Sequence, residues 1–333
     1  MNILIIRNDK IGDFMLAWPA FALLRKQYPE ARITALVPRY TAALAELCPS
    51  IDDVLIDERK TGRLQDILAL ARSIRERRFD VSISLFSEAR TAIALRLAGV
   101  AIRVGPATKL AQLFLNRKLK QRRSESARPE FAYNTDLVKY FIGLNGDTLT
   151  AAPHAPYLSF DAREIADQAG AFRSANAIKQ DETVVIIHPG SGGSAINLSV
   201  EQYADLANRL SRQPGIFFVV TSGPGEDALA DELYSRITTE RRCRYRSSQG
   251  IVEFCRFIAG CDAFISGSTG PLHIAGALNI KTVAFYPSRR SATSLRWQTL
   301  NDADRRVAFT APDDDMSKID IGECTDAIIK LLQ

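Results

Sequence analysis

The sequence predicts an α/β protein of two domains, each built on a parallel sheet, and three observations carry that expectation. At 333 residues the chain exceeds the usual size of a single domain. Short apolar runs alternate with amphipathic stretches along its length. The runs are also too brief and too evenly apolar to be one-sided, as in strands covered on both faces. Strands are expected at Ile3–Ile6, Ile33–Val37, Val54–Ile56, Val81–Leu85, Val184–His188, Phe217–Thr221, Ala263–Ser266 and Thr282–Tyr286. Helical spacing links them; Leu64, Ile67, Leu68, Ala71 and Ile74 form one inward stripe, with Arg72, Arg75, Arg77 and Arg78 facing water. The alternation breaks between Thr148 and Asp181, where Pro153 and Pro156 read as a linker. The domains are accordingly placed at 1–165 and 175–333, and Ile319–Leu332 is expected as a terminal amphipathic helix.

Composition narrows the class. Hydrophobic residues at 46% and charged residues at 24% are those of a water-soluble globular protein. No apolar run approaches the roughly 18 residues of a membrane span. Met1–Arg7 reads as a first strand and not as a signal peptide, so a cytoplasmic protein is expected. Five cysteines without C-x-x-C spacing predict reduced thiols, with neither a disulfide framework nor a zinc site. The net charge of +5 is unevenly spread. Arg117, Lys118, Lys120, Arg122, Arg123 and Arg128 stand against the single acid Glu125. That segment is either a solvated basic loop or a contact for a phosphorylated glycolipid or anionic membrane surface. No aromatic residues interleave with it and no nucleic-acid motif is present, so nucleic acid is not the expected partner.

Three glycine-rich turns and one acidic turn carry the chemistry. Val184–His188 leads into Pro189-Gly190-Ser191-Gly192-Gly193-Ser194, and Ala263–Ser266 leads into Gly267-Ser268-Thr269-Gly270-Pro271-Leu272-His273. Small residues let backbone approach a ligand, and a helix start presents unpaired N–H groups with partial positive charge, so both turns suit a diphosphate. A third turn, Ser222–Asp227, holds Glu226, which either binds ribose hydroxyls or complements a helix dipole. His188 and His273 flank the glycine turns and read first as buried structural histidines. Asp313-Asp314-Asp315, just ahead of the last helix, reads as a solvated acidic turn and helix N-cap. Near the N-terminus, Arg7-Asn8-Asp9-Lys10-Ile11-Gly12-Asp13-Phe14 lies beyond a strand's carboxyl end, where open α/β sheets bind ligands, ahead of a helix expected from Met15. Gly12 permits a tight turn, and Asp13 is either a helix cap or a catalytic acid. The three dispersed histidines give no metal site.

The ordered set of these pieces resembles the ADP-heptose–lipopolysaccharide heptosyltransferases (glycosyltransferase family 9). The stretches that carry it are Ile11-Gly12-Asp13 with Pro19-Ala20, His188–Ala195, Gly223-Pro224-Gly225-Glu226, and Ser268–Ala275. The resemblance implies a GT-B architecture, with two Rossmann-like domains whose parallel sheets face each other across a cleft. It implies an N-terminal acceptor domain and a C-terminal donor domain. Asp13 is then the general base, and Gly12, Gly190, Ser191, Gly192, Gly193, Ser194, Glu226, Ser268, Thr269, Gly270 and His273 bind the donor. Lys10, Arg117, Lys118, Lys120, Arg122 and Arg123 are candidates for the acceptor. The chain departs from the family pattern in having Ile196-Asn197-Leu198 where a basic residue is usual, and Ser268 where many members have an acid. Arg289, Arg290 or Lys10 would have to replace the missing charge beside the diphosphate.

The reaction implied is a single displacement: an acceptor hydroxyl attacks the anomeric carbon, Asp13 takes its proton, and nucleoside diphosphate leaves. It requires a nucleotide sugar as substrate and a lipopolysaccharide core or other phosphorylated glycan as acceptor, with no cofactor or metal, at the cytoplasmic face of the inner membrane. Two alternatives stand beside it: the same fold with another nucleotide sugar, and a non-catalytic nucleotide or sugar-phosphate binder. A dinucleotide oxidoreductase lacks its G-x-G-x-x-G fingerprint.

Overall fold

The computed structural model describes residues 1–58, 64–193 and 195–333. The chain forms two compact units, Met1–His154 and Ala155–Gln333, each centred on a parallel sheet of six strands.

In the first unit β1 (Asn2–Ile6) is followed by the short α1 (Ile11–Met15), α2 (Trp18–Gln27), β2 (Arg32–Val37), α3 (Ala42–Glu46) and β3 (Asp53–Ile56). Then come α4 (Leu64–Glu76), β4 (Val81–Ser84), α5 (Ala89–Ala98), β5 (Ile102–Pro106), β6 (Arg117–Leu119) and α6 (Glu130–Leu144). The strand order β3-β2-β1-β4-β5-β6 reverses direction between β1 and β4, with Ile6 paired to Ser84 at the carboxyl edge. That reversal opens a crevice for a ligand. Leu4 and Ile6 are fully buried because α4 and α5 cover their face of the sheet, and Ile3 and Ile5 are fully buried on the opposite face. An aromatic group extends the core, with Phe14 set edge-on to Trp18 and Phe21 at 6.1 and 6.0 Å.

The second unit repeats the plan. It begins with α7 (Ala162–Ala175), then β7 (Thr183–His188), α8 (Val200–Leu210), β8 (Ile216–Ser222), α9 (Asp227–Arg236), β9 (Arg242–Arg246) and α10 (Ile251–Ala259). It closes with β10 (Ala263–Gly267), α11 (Gly270–Ala277), β11 (Lys281–Pro287), β12 (Arg306–Ala311) and α12 (Ile321–Leu332). Its order, β12-β11-β10-β7-β8-β9, places the reversal between β7 and β10. Both strands that feed the glycine turns therefore lie side by side, with His188 paired to Ser266.

The structure corrects several expectations. Strands β5, β6, β9 and β12 were not anticipated. Three of them are sheet edges, where charged residues guard against further pairing and blur the apolar signal; β9 reads Arg-Cys-Arg-Tyr-Arg. Helix α7 spans most of the interval left between the two domains and belongs to the second unit, where Gln168 bonds Glu253 and Phe172 packs on Phe257. On α4 the buried residues are Asp66, Leu70, Ala71 and Ile74, whereas Leu64 and Leu68 are exposed. The first helix starts at Ile11, with Gly12 inside it, so Gly12 makes no tight turn. The acidic run splits its duties: Asp315 accepts from Ser317 N at 3.0 Å, while Asp320, not Asp315, caps α12. The five cysteines are free thiols.

Helix α11 lies close to the segment Thr299–Leu300 through Gly276, where an added Cβ would fall 2.7 Å from Thr299 Cβ and 3.0 Å from Leu300 N. Gly276→Ala is therefore expected to destabilise the second unit by about 1–3 kcal/mol through overpacking, read as a lowered urea midpoint with unchanged slope.

Candidate active site

At the carboxyl end of β1 the chain places Arg7, only 2% exposed, and surrounds it with acids. Its Nε donates to Asp9 Oδ1 at 2.8 Å and its Nη2 to Asp13 Oδ1 at 2.5 Å. Its Nη1 donates to Glu130 Oε1 and to Asn134 Oδ1, both at 3.0 Å. Glu130 also accepts from Arg123 at 2.6 Å, and the Asn134 amide fixes the Leu16 carbonyl at 3.1 Å. Two guanidiniums thus serve three carboxylates in this cluster. Burial alone would lower the Arg7 pKa; the Asp9, Asp13 and Glu130 carboxylates outweigh it and hold the guanidinium charged.

Asp13 carries the chemical consequence. Its pKa is pushed up to about 6, chiefly by burial; Arg7 pulls it down, and Asp9 and Glu130 push it back up. Its side chain keeps 17% exposure, so a substrate hydroxyl can reach it. Asp13 is the third residue of α1, and Lys10, exposed and without a side-chain capping bond, holds the N-cap position. The helix-cap alternative for Asp13 is therefore displaced by the ion pair with Arg7.

A second polar cluster lines the same edge. Asn8 donates to Asp57 at 2.7 Å and to Glu88 at 3.0 Å, and Arg90 pairs with Asp57. The basic segment does not act as one surface. Arg117 and Lys118 lie exposed on β6, whereas Arg123 turns inward to Glu130. Lys120 and Arg122 line an open groove of about 550 Å³ with Lys139 and Tyr140, and Glu125 and Asp136 in the same groove pair with Arg122 and Arg128.

In the second unit the first glycine turn already holds an anion. Glu226 Oε1 accepts from Ser191 N at 2.8 Å and Gly192 N at 2.6 Å, and Oε2 accepts from Gly223 N at 3.2 Å. Amides expected to hold phosphate are thus occupied by this carboxylate, a correction to the sequence reading. The glycines make the arrangement possible: Gly192 and Gly193 have φ of +53° and +71°, and a Cβ on Gly190 would fall 1.9 Å from Glu226 Oε2. Among these bonds Oε2 accepts only one, which leaves it capacity for a further donor. Ser194 lies outside the described residues.

The second turn is built around Thr269, which is buried. Its hydroxyl bonds Ser266 Oγ at 2.8 Å and caps α11 by accepting from Leu272 N at 3.4 Å. Ser268 and Gly270 are half-buried at the start of that helix, where the backbone dipole favours an anion. Asn197, in the stretch where a basic residue is usual, ties the two turns together. Its Nδ2 donates to the Pro189 carbonyl at 2.7 Å, and its Oδ1 lies 2.5 Å from where a Cβ on Gly267 would stand. Arg289 and Arg290 are exposed beyond β11, on the same edge of the sheet. His188 and His273 are both buried, and burial lowers each pKa to about 4, so both imidazoles are neutral at pH 7. His188 Nδ1 bonds Thr221 Oγ1 at 2.9 Å, a structural tie between β7 and β8.

Sequence reading singled out Asp13, the three glycine turns and Glu226 as candidates. It missed Arg7, Asn134 and Glu130 as a unit, because Glu130 is 123 positions from Arg7 and no spacing rule joins them. A buried arginine directly after an apolar strand was the available signal.

Comparison with known proteins places this geometry. The model of the family described as glycosyltransferase family 9 (heptosyltransferase) matches residues 67–316. A Haemophilus influenzae protein whose name suggests a glycosyltransferase is 42% identical over 93% of this chain and 89% of its own length. Lipopolysaccharide heptosyltransferase 2 of Escherichia coli is 25% identical over 86% of this chain and 82% of its own. The solved structure of the E. coli ADP-heptose lipopolysaccharide heptosyltransferase II superposes with a TM-score of 0.79 at 19% identity, covering 100% of this chain and 98% of that one. That likeness establishes the fold: two six-stranded parallel sheets of the GT-B kind.

The Arg7 cluster yields a stability test. Arg7→Met strands buried carboxylates without their cation, and is expected to cost about 3–5 kcal/mol in urea unfolding at neutral pH. Acidification should recover part of that loss as the carboxylates take up protons.

Proposed function

Because the chain belongs to glycosyltransferase family 9 and is a glycosyltransferase, we propose that it transfers heptose from ADP-heptose to a lipopolysaccharide core acceptor with inversion at the anomeric carbon. The observation that carries the mechanism is Asp13, partly exposed beyond the end of β1 with its pKa raised to about 6. A carboxylate of that strength is a better proton acceptor than an ordinary aspartate and is still ionised at neutral pH. In this reading Asp13 removes the proton of the acceptor hydroxyl as its oxygen bonds the anomeric carbon. The bond from that carbon to the diphosphate oxygen breaks on the opposite face, and ADP departs.

The second unit supplies the donor site. The start of α11, with Ser268, Thr269 and Gly270, meets the charge that grows on the leaving diphosphate. Glu226, held by three backbone amides, retains an acceptor site on Oε2 for a ribose hydroxyl. Arg289, Arg290 and Lys10 are exposed cations available to the phosphates, and Gly193 leaves open space beside the first turn. His273 lies buried on α11, its Nδ1 without a hydrogen-bond partner among the described residues, and serves the packing behind the donor turn. Lys120 and Arg122 in their groove, with Arg117 and Lys118 beside it, are assigned to acceptor phosphates; Arg123 is withdrawn from that role by its bond to Glu130. The enzyme works in the cytoplasm, at the inner face of the membrane that carries its acceptor.

Use of a different nucleotide sugar is the second reading, favoured by Asn197 and Ser268 standing where the family usually carries charge. Calorimetric titration with ADP, UDP, GDP and their sugar conjugates separates the two. Selective binding of ADP and ADP-heptose is expected; preference for UDP or GDP would replace the donor. In the same assay Asp13→Asn should bind ADP-heptose within about threefold of wild type while transfer falls by about 10²–10⁴. Undiminished transfer by that variant would remove Asp13 from the role of base.

A further inference from the structure

We propose that the turn Leu110–Phe114 of the first unit, with the lysines and arginines around it, is a docking surface for an anionic lipid bilayer. Between Glu88 and Glu125 the chain carries nine basic residues and no acid. Three of them turn inward: Arg90 to Asp57, Arg123 to Glu130, and Arg103 to the Val100 and Phe114 carbonyls. Lys109, Arg117, Lys118 and Lys120 are exposed, and none of these four makes an ion pair among the described residues.

The apolar part is as distinct. Leu110–Phe114 is a 3-10 turn whose inner side, Ala111 with Phe114 and the following Leu115, packs on Ala92 of α5. Residues three apart in a 3-10 turn lie over one another, so Leu110 and Leu113 project together. Each is 71% exposed, more than any other large apolar side chain among the described residues. A firmly packed turn that holds two leucines in water, preceded by Lys109 and followed by Arg117, Lys118 and Lys120, has the amphipathic character of a membrane-surface anchor.

Position adds a third argument. The segment begins after β5 at the carboxyl edge that also carries Asp13 after β1, and because β5 and β6 are parallel it crosses back to the start of β6, where Arg103 Nε donates to the Phe114 carbonyl. Ser87, in the loop after β4, donates to the Thr108 carbonyl at 3.2 Å and ties the turn to that edge. Helix α4 starts from the same edge, with Leu64 and Leu68 65% and 52% exposed. The charge pattern selects the partner: a second copy would bring like charges together, whereas an anionic bilayer neutralises them. The two exposed apolar side chains of the turn are aliphatic and offer no ring for base stacking, which argues against single-stranded nucleic acid.

The two leucines take no part in the transfer reaction, although Arg117, Lys118 and Lys120 are shared with the acceptor role proposed above, and the test involves no sugar. The purified chain is sedimented with vesicles of phosphatidylglycerol mixed with phosphatidylcholine, and with vesicles of phosphatidylcholine alone. Binding to the mixed vesicles only, weakened by added salt, is expected. The double variant Leu110→Ser, Leu113→Ser should bind about tenfold or more weakly while keeping its melting temperature, since both side chains already face water. Transfer to a water-soluble acceptor analogue should be unchanged in that variant. Equal binding to both vesicle types, or wild-type binding by the double variant, would overturn the proposal. So would a wild-type dimer that the double variant disperses, since the leucines would then cover a second copy.

Discussion

The first unit depends on one buried cation. Arg7 ends the central strand and would be costly to bury alone, because a charge removed from water must be repaid by close partners. Asp9, Asp13 and Glu130 supply them, and they come from three different parts of the chain: the loop, α1 and α6. The same arginine that stabilises the fold therefore fixes where Asp13 stands. Its partners are in turn anchored, Glu130 by Arg123 and Asn134 by its hold on Leu16. Burial in this group, reinforced by Asp9 and Glu130 against the pull of Arg7, raises the proton affinity of Asp13, the most open to solvent of the carboxylates bonded to Arg7. Stability and basicity follow from one arrangement.

The second unit solves a different electrostatic problem on the same plan. Its sheet repeats the strand order of the first, so its reversal also falls at the carboxyl edge, between β7 and β10. Here the charges are held by backbone rather than by a guanidinium. Three amides carry the Glu226 carboxylate, and glycine is required because the carboxylate sits where a side chain on Gly190 would be. Asn197 binds the neighbouring turn through a carbonyl and leaves no room for anything but glycine at position 267. A neutral side chain thus organises the stretch where a basic residue is usual in the family. One sheet edge offers an acid with raised proton affinity, the other a set of oriented dipoles, and glycosyl transfer needs both kinds of group.

What the sequence disclosed follows from how each feature is encoded. Interior strands such as Ile3–Ile6 and Val184–His188 are buried on both faces, and their apolar runs are plain to read. Edge strands are not: β9 carries arginines that pair with Asp227 and Asp231, and its charge hides its backbone. Asp13 stood out because its neighbours form a local motif, while its determinants were hidden by distance along the chain. Arg123 was grouped with surface cations because a run of basic residues does not reveal which one turns inward. Leu64 and Leu68 fit the helical period, but the stripe that meets the sheet is centred on Leu70, Ala71 and Ile74. The glycine turns were recognised as anion cradles, and the anion already present, Glu226, became visible only in three dimensions.

In the proposed reaction Asp13 is the base, and its surroundings set its strength. The most direct measurement is the pH dependence of kcat/KM for transfer, with donor and acceptor below saturation. A base must be ionised, so activity should be lost as pH falls through about 6, the raised value of Asp13. Full activity carried down toward the ordinary aspartate value of 3.8 would contradict the account.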